Sequence, residues 1–435
     1  MPPIRAFANG DLLHALPPHF TTVLGQVATL AQAHHVAVWL VGGVVRDLLL
    51  AQPIKRDLDM AIEGDTVALA HALATATAGR VTAQHAPFGT ATVELPTAAG
   101  TLTLDLARTR TETYPHPAAL PIVQPASITN DLARRDFTVN AMALPVRLSA
   151  TNSPTLAATS LLDPFDGRAD LQAGVLRVLH TQSFRDDPTR MLRGLRLAVR
   201  LQMPFEPATR ALLDTALSNN LLEQTTPHRI RTEVCLALDE PDPVAVLHAA
   251  ENLGILPHIF PALHWHPNLA TWQQRLPPSA DALLKMGILT YTLSERDRAT
   301  LIERYRLPND AARLLRDVGT LHNRLPALHQ TSLSNSELDA LLHPFGRAAL
   351  LVVRTVEQPL VDERITHYLN HLRDIVPLLN GHDLQALGVP RGPLLGTLLQ
   401  GLRAARLDGQ VATHADEEAW IRAALDEGTR GSKEA

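Results

Sequence analysis

Two aspartates, Asp57 and Asp59, stand two residues apart in Arg56-Asp57-Leu58-Asp59-Met60-Ala61-Ile62. Read as a strand, that spacing turns both carboxylates to one face, about 6 to 7 Å apart along the chain. Ionised side by side they repel, so the arrangement calls for a positive partner. Hard divalent cations take oxygen ligands, and Mg²⁺ commonly uses one or two carboxylates together with substrate phosphates. Two such ions over a triphosphate can activate an incoming hydroxyl and stabilise a departing pyrophosphate. Taken alone, Asp-x-Asp fits a solvated strand face as well, and the surrounding residues must decide.

Upstream, Val36 to Leu40 reads as a strand that meets Gly42 and Gly43, and Val44 to Leu50 reads as the start of a helix. Glycines let a backbone approach phosphate oxygens, and the helix start offers free N–H groups. Arg46, one turn into that helix, can contact a phosphate. The third glycine of a dinucleotide-binding turn is absent. Downstream, Thr101 to Leu106 alternates Leu102, Leu104 and Leu106 with Thr101, Thr103 and Asp105. Asp105 there can orient or deprotonate an attacking hydroxyl, help hold a metal, or simply end a strand near the surface. In Asp131 to Met142, DLARRDFTVNAM, Arg135 can reach phosphate or ribose, while Asp136 and Asn140 can fix the surrounding backbone. A salt-bridged turn is the structural alternative.

The helix opening at Asp187 is the most informative segment. Asp187 is placed to cap it and Pro188 fits its first position. Leu192, Leu195 and Val199 form a buried stripe, and Arg190, Arg193, Arg196 and Arg200 a basic row on another face. Four neighbouring guanidiniums repel unless anions meet them, which points to a triphosphate or an RNA backbone. Asp187 supplies acceptors and Arg190 donors, so the pair can read a base edge as another base would. A solvated amphipathic helix balanced by Asp186 and Asp187 is the alternative. The whole chain carries a formal charge of −5, so any attraction for nucleic acid has to be local rather than global.

These residues need elements to hold them. Further strands are expected at Arg56 to Ile62, Arg80 to Gln84 and Thr90 to Leu95, with a helix at Thr66 to Ala78, which makes a small α/β unit built around a sheet. Leu148 to Ser160 reads as an exposed connection. Beyond about Asp170 helical periodicity takes over: Asp187 to Leu201, Pro207 to Leu217, Pro227 to Leu238, Pro243 to Asn252, Glu295 to Tyr305, Ser334 to Leu342, Val361 to Ile375 and Glu417 to Leu425. Ser334 and Glu337 have capping-box spacing. With 435 residues the chain can bury more than one core. Its single cysteine, Cys235, excludes an internal disulfide and a thiolate zinc cage, and reads as a small buried residue of its helix. No stretch approaches the roughly 20 apolar residues of a membrane span, and residues 1–9 do not resemble a signal peptide. A cytoplasmic protein with no membrane partner is expected.

In these motifs the chain resembles the class II transfer-RNA CCA-adding enzymes and the bacterial poly(A) polymerases. The resemblance rests on ordered blocks: LVGGVVRDLLL at Leu40 to Leu50, RDLDMAI at Arg56 to Ile62, LDLARTRTETY at Leu104 to Tyr114 and DLARRDFTVNAMA at Asp131 to Ala143. LLDPFDGRADLQAGVLR at Leu161 to Arg177 and DDPTRMLRGLRLAVRL at Asp186 to Leu201 complete it. It implies an α+β fold: a small DNA polymerase beta-like nucleotidyltransferase head followed by an all-helical neck, body and tail. The expected limits are 1–25 for an N-terminal extension, 26–178 for the head, 179–265 for the neck, 266–375 for the body and 376–435 for an RNA-binding tail.

By resemblance, Asp57 and Asp59 carry catalytic Mg²⁺ with Asp105 beside them, and Gly42, Gly43, Arg46, Arg135 and Asn140 hold the nucleotide. Asp187 and Arg190 recognise cytosine or adenine without a nucleic-acid template, with Arg193 and Arg196 nearby. The partners implied are CTP, ATP and the 3′ end and acceptor half of transfer RNA. The segment from Arg108 to Tyr114 falls where such enzymes have a mobile loop affecting the change from C to A. His382 to Leu402 is similar to a late helical segment of the family.

Three departures stand out. Asp186 replaces a common Glu, Leu197 replaces a common Phe, and Pro117-Ala118-Ala119-Leu120-Pro121 lacks the glycine of the family's PGALP. No His-Asp arrangement suggests an added phosphohydrolase, and His264-Trp265-His266 makes a poor metal site. Complete CCA addition is the leading expectation, with CC-only, A-only and poly(A) synthesis as alternatives within the class. A catalytically silent RNA-binding protein is the alternative outside it.

Overall fold

The fold was examined in a computed structural model, which describes residues 12–54, 57–151 and 153–431, with the side chains of Asp57 and of residues 427–431 outside the described set. The chain divides into two units, one ending at Ile259 and one beginning at Phe260.

The first unit opens with helix α1 (Pro18–Ala33), strand β1 (Ala37–Val41), helix α2 (Gly43–Leu49), strand β2 (Asp57–Glu63) and helix α3 (Thr66–Ala76). Strands β3 (Arg80–His85), β4 (Thr90–Thr97) and β5 (Gly100–Arg108) follow, then the short pair β6 (Arg110–Thr113) and β7 (Ile122–Pro125). Helix α4 (Ile128–Ala133) leads to β8 (Ala143–Pro145) and to β9 (Arg147–Leu148) and β10 (Pro154–Thr155). Six strands form one sheet in the order β3-β4-β5-β2-β1-β8. Only β2 and β5 run parallel; the other pairs are antiparallel, so the sheet is mixed.

The period-two pattern explains why the acids point where they do. Leu58, Met60, Ile62, Leu102, Leu104 and Leu106 are buried, as are Phe20, Leu24, Leu69 and Leu73 of α1 and α3. The intervening residues face the other way, where Asp59 and Asp105 are exposed. That second face is not bare. Val41 and Ala61 pack with Ile128, Leu132, Ala141 and Ala143, and Trp39 and Phe165 lie against them. A small second core therefore supports the polar face beside the acids.

Helices α5 (Gly167–Ala173) and α6 (Ser183–Asp186) precede α7 (Thr189–Leu201), α8 (Pro207–Ser218), α9 (Pro227–Leu238) and α10 (Pro243–Asn252). The prolines opening the last three fill a first-turn position whose N–H would have no helical partner. Asp242 accepts from Ala245 N at 2.9 Å and Glu206 from Thr209 N at 3.0 Å, capping two of them. α7 begins at Thr189 rather than at Pro188, but the expected cap residue still serves: Asp187 Oδ1 accepts from Thr189 N at 2.9 Å. Its buried side includes Met191, Leu192, Leu195 and Leu197, whereas Val199 is only half-buried. Gly194 brings this helix close to the head, since a methyl group there would meet Phe137 Cζ at 2.5 Å and Phe205 Cε1 at 2.8 Å.

Several expectations shift. Leu148 to Ser160 is not a plain exposed connection: β9 and β10 pair within it, and Leu156 is fully buried with its carbonyl accepting from Leu12 N at 2.9 Å. The expected strand start at Arg56 lies outside the described residues. Helix α1 runs across the expected 25/26 limit and packs against the sheet unit. Cys235 is half-buried rather than buried.

The second unit is helical throughout its described residues. Helices Asn309–Asn323 and Arg347–Val356 contribute Leu315, Val318, Leu321, Leu350, Val352 and Val353 to its core. Ser334 and Glu337 form the expected capping box before Asn335–Leu342. Val361 to Ile375 is not one α-helix; Pro359–His367 passes into a π-helical turn at Tyr368–Leu372. A further cluster of Leu379, Leu384, Leu398, Leu402 and Ile421 closes the chain, and buried Glu417 accepts from the backbone N–H groups of Leu378 and Leu379 at 3.0 and 2.8 Å. Among the described residues no helix is long and apolar enough to cross a membrane.

Candidate active site

The parallel pairing of β2 with β5 sets Asp59 directly opposite Asp105. Both are exposed on the open face of the sheet. Asp105 Oδ1 accepts from Thr92 Oγ1 at 2.7 Å, which holds it from the neighbouring strand β4. The side chain of Asp57 lies outside the described residues; its backbone begins β2, two positions from Asp59. Gly42 ends β1 with φ 74° and ψ −135°, a conformation that favours glycine. A methyl group there would stand 3.0 Å from Arg135 Nη1 and 3.9 Å from Asp59 Oδ2, so turn, guanidinium and carboxylate converge.

These groups line a cavity of about 450 Å³ that also contains Gly43, Asn140, Asp187, Arg190 and Arg193. Arg135 donates from Nη2 to Asp131 Oδ2 at 3.1 Å, and its buried Nε has no hydrogen-bond partner among the described residues. Arg190 is buried and donates to Ser183 Oγ at 2.7 Å and to the Arg134 carbonyl at 2.6 Å. Arg193 pairs with Asp136 at 2.9 Å. Burial alone would push the Asp136 carboxyl up, but Arg193, the Asn140 amide and the Phe137 N–H outweigh it and hold it below the usual carboxylate range.

Two expected nucleotide contacts are placed elsewhere. Arg46 is almost fully buried, donating to Asn140 Oδ1 at 2.6 Å and to Asp47 Oδ1 at 2.8 Å. It braces the glycine turn against the 137–140 segment. Arg196 donates to Glu240 at 2.9 Å and Glu233 at 2.8 Å, and Arg200 to Glu240 Oε2 at 3.0 Å. Arg46, Arg196 and Arg200 line a second cavity of about 780 Å³, which shares Gly43 and Asp59 with the first. The arginine row is thus met, at its far end, by the protein's own carboxylates. That overturns the expectation that an external anion must neutralise all four.

The sequence reading missed other lining residues. The segment from Arg108 to Tyr114, which falls where the family has a mobile loop, contains a strand at residues 110–113, with Thr111 opposite Gln124 and Glu112 opposite Val123. Arg110, Glu112 and Tyr114 face the cavity from it. Glu112 Oε1 accepts from Arg110 Nη2 at 2.9 Å and Arg134 Nη1 at 2.8 Å, while Oε2 accepts from Tyr114 Oη at 2.8 Å. Burial, with Glu112 next, pushes the Tyr114 hydroxyl well above its ordinary pKa. The alternation Arg110, Glu112, Tyr114 was the available signal. Nothing local marked Arg229, whose Nη2 lies 2.5 Å from Asp187 Oδ1 across 42 residues of chain.

As to a metal, the paired carboxylates Asp59 and Asp105 supply hard oxygen donors of the kind a divalent cation takes, and a neighbouring wall of guanidiniums suits a polyanionic ligand. Among the described residues no three acidic, histidine or cysteine side chains gather into a metal site; Asp57, the expected third, is outside that set.

Carboxylates on a sheet, a glycine turn and the Asp187 and Arg190 side chains thus meet in one cavity. Residues 38–177 match the Poly A polymerase head domain, and residues 202–265 match the probable RNA and SrmB- binding site of polymerase A. The chain is 32% identical over 417 residues to an A-adding tRNA nucleotidyltransferase of Halalkalibacterium halodurans, covering 93% of each chain. It is 32% identical over 387 residues to a CC-adding tRNA nucleotidyltransferase of Deinococcus radiodurans, covering 89% of each. The fold is similar, with TM-score 0.68 and 25% identity, to a Thermotoga maritima CCA-adding enzyme complexed with tRNA, over 96% of this chain and 99% of that one. The chain belongs to the class II CCA-adding enzyme and bacterial poly(A) polymerase family, the transfer-RNA nucleotidyltransferases.

Proposed function

We propose that the chain adds CMP and AMP, taken from CTP and ATP, to the 3′ end of transfer RNA and so completes a CCA terminus. The observation that carries this is the meeting of Asp59 and Asp105 with Gly42 and Arg135 on one side of a cavity whose other side holds Asp187 and Arg190. Asp187 accepts from the exocyclic amino group that cytosine and adenine share, and Arg190 donates to the ring. Arg135, whose Nη1 stands at the glycine turn, donates to the nucleotide's phosphate or ribose.

Asp57 and Asp59 are the residues that would hold Mg²⁺, with Asp105 beside them. When bound, the cation offsets phosphate charge and makes the acceptor hydroxyl easier to ionise. In the transfer the 3′ oxygen of the RNA bonds to the α-phosphorus, the bond from that phosphorus to the β-bridging oxygen breaks, and pyrophosphate leaves. Asp105 orients the hydroxyl, and Arg135 offsets charge on the leaving side. Residues 266–375 and 376–435 serve as body and tail that grip the acceptor half of the transfer RNA, in the cytoplasm.

The chain's relatives include A-adding, CC-adding and CCA-adding enzymes, so complete addition and either partial activity share this head. A-only addition is the second reading, favoured by the fuller coverage of the Halalkalibacterium relative. Transcripts ending in the discriminator base, in C or in CC, each incubated with CTP, ATP or both, separate these products at single-nucleotide resolution. Complete addition predicts three nucleotides on the first transcript with both substrates. Growth only from CC with ATP establishes the A-only reading, growth that stops at CC the CC-only one, and long A tracts a poly(A) polymerase. No incorporation at all leaves a silent RNA-binding protein.

A further inference from the structure

We infer that Arg229, which does not line the nucleotide cavity, is a positioning residue for base selection: it fixes the Asp187 carboxylate and ties it to the loop that joins β6 to β7. This rests on the reading of Asp187 as a base-reading group. Three donors converge on a single oxygen of that carboxylate. Asp187 Oδ1 accepts from Thr189 N at 2.9 Å, Thr189 Oγ1 at 2.5 Å and Arg229 Nη2 at 2.5 Å. Oδ2 has no hydrogen-bond partner among the described residues. A carboxylate turns readily about its last torsion unless its oxygens are held unequally. Held this way, it presents one oxygen as a fixed acceptor.

That geometry discriminates by chemistry. Cytosine and adenine offer an amino group at the position where uracil and guanine carry a carbonyl oxygen. A fixed carboxylate oxygen bonds the first pair and repels the second. A mobile one can turn aside and admit either.

The other arm of Arg229 reaches the loop. Its Nη1 donates to the Ala118 carbonyl at 3.2 Å. Ala118 is buried and left-handed at φ 58°, a conformation that strains any residue with a Cβ, and its N–H donates to the Arg185 carbonyl at 3.1 Å. This is the turn in which the family's PGALP pattern has its glycine. Here a residue poorly suited to the turn is held there from both sides, by Arg229 and by the segment just before Asp187. Arg229 is itself mostly buried, so the bridge from turn to carboxylate is shielded from solvent.

The test uses the full chain and reads binding and transfer separately. Equilibrium dialysis gives the affinities for ATP, GTP, CTP and UTP, and inorganic tripolyphosphate serves as a base-free competitor. For Arg229→Ala, preference for ATP over GTP and for CTP over UTP should fall at least tenfold, with tripolyphosphate competition unchanged within twofold. Arg229→Gln, which keeps the polar stem but is uncharged and too short to reach Asp187, should shift the same way and covers the case in which the alanine variant does not fold. Because Arg229 acts through Asp187, Asp187→Ala combined with Arg229→Ala should discriminate no worse than Asp187→Ala alone. Unchanged preference in the folded Arg229 variants, losses that add in the double variant, or equal binding of all four nucleotides by the unaltered chain would each overturn the inference. Labelled incorporation into transfer RNA keeps the two ideas apart. Selective binding without incorporation rejects the transfer reading and leaves Arg229 in place, whereas intact incorporation with undiminished selection in the variants rejects the role of Arg229 alone.

Discussion

The two ends of helix α7 carry the same residue type and do different things with it. At its start, Arg190 and Arg193 line the cavity beside Asp187. Toward its end, Arg196 and Arg200 turn to Glu233 and Glu240 of the neighbouring helical layer. The spacing is helical throughout, at three, three and four residues, so the difference lies in what each guanidinium meets. Near the sheet the arginines are anchored by a hydroxyl, a carbonyl and one buried carboxylate. Farther along, two glutamates absorb the charge completely. A basic helical row is therefore a weak indicator of a ligand until the acids opposite it are known.

The sharpest way to test that division is at the wall facing Arg190. Asp59→Asn should lower nucleotide transfer on the order of a thousandfold or more while leaving transfer-RNA binding in a gel-shift assay unchanged. Full incorporation by this variant would remove the sheet wall from the chemistry. At the cavity end of α7, Arg190→Ala should weaken the choice of base roughly 10- to 100-fold, the scale of one good base-edge contact. Unaltered selection would equate the helix start with its end.

At the far end, Arg196→Ala should leave base choice intact and cost stability instead, about 2 kcal/mol in a urea unfolding experiment, because Glu233 and Glu240 lose a half-buried partner. A loss of base selection as large as that of Arg190→Ala would return Arg196 to the nucleotide site. The smallest effect concerns acid. Asp136 is held below the usual carboxylate range, so its contribution is complete above about pH 4 and fades as pH falls through its lowered value. Glu233, pushed up by burial against the pull of Arg193 and Arg196, works in the opposite direction, its contribution fading as pH rises. Asp136→Asn should therefore be less stable than the unaltered chain at pH 7 and lose less on going to pH 3. Parallel unfolding curves at the two pH values would show that the Arg193 pair carries no such linkage.

Much of this was legible before any coordinates, for identifiable reasons. The acids and their buried neighbours follow a period-two pattern, which settles their face once β2 is a strand. α9 and α10 begin at prolines and end where expected, because first-turn proline and the apolar stripe are both local signals. What escaped was long-range. Arg46 was expected at a phosphate, yet its partner Asn140 lies 94 residues away and draws it inward. Glu240 is 44 residues beyond Arg196, and Arg229 is 42 beyond Asp187. The strand at Arg110–Thr113 was hidden by its polar composition, since nothing apolar marks it as half-buried.

One carboxylate in that strand has a consequence for how the cavity behaves. Glu112 receives two arginines and a tyrosine, one of those arginines coming from the far side of the turn after α4. Displacing the hairpin would carry Arg110 and Tyr114 along with Glu112, so the acid would keep two of its three partners and lose only Arg134. The hairpin is therefore fastened to the segment around α4 through the Glu112–Arg134 pair and the Arg110 N–H on Asp131 Oδ1 at 3.2 Å. A substrate anion that draws Arg134 away would loosen it there while its own internal pairs stay intact.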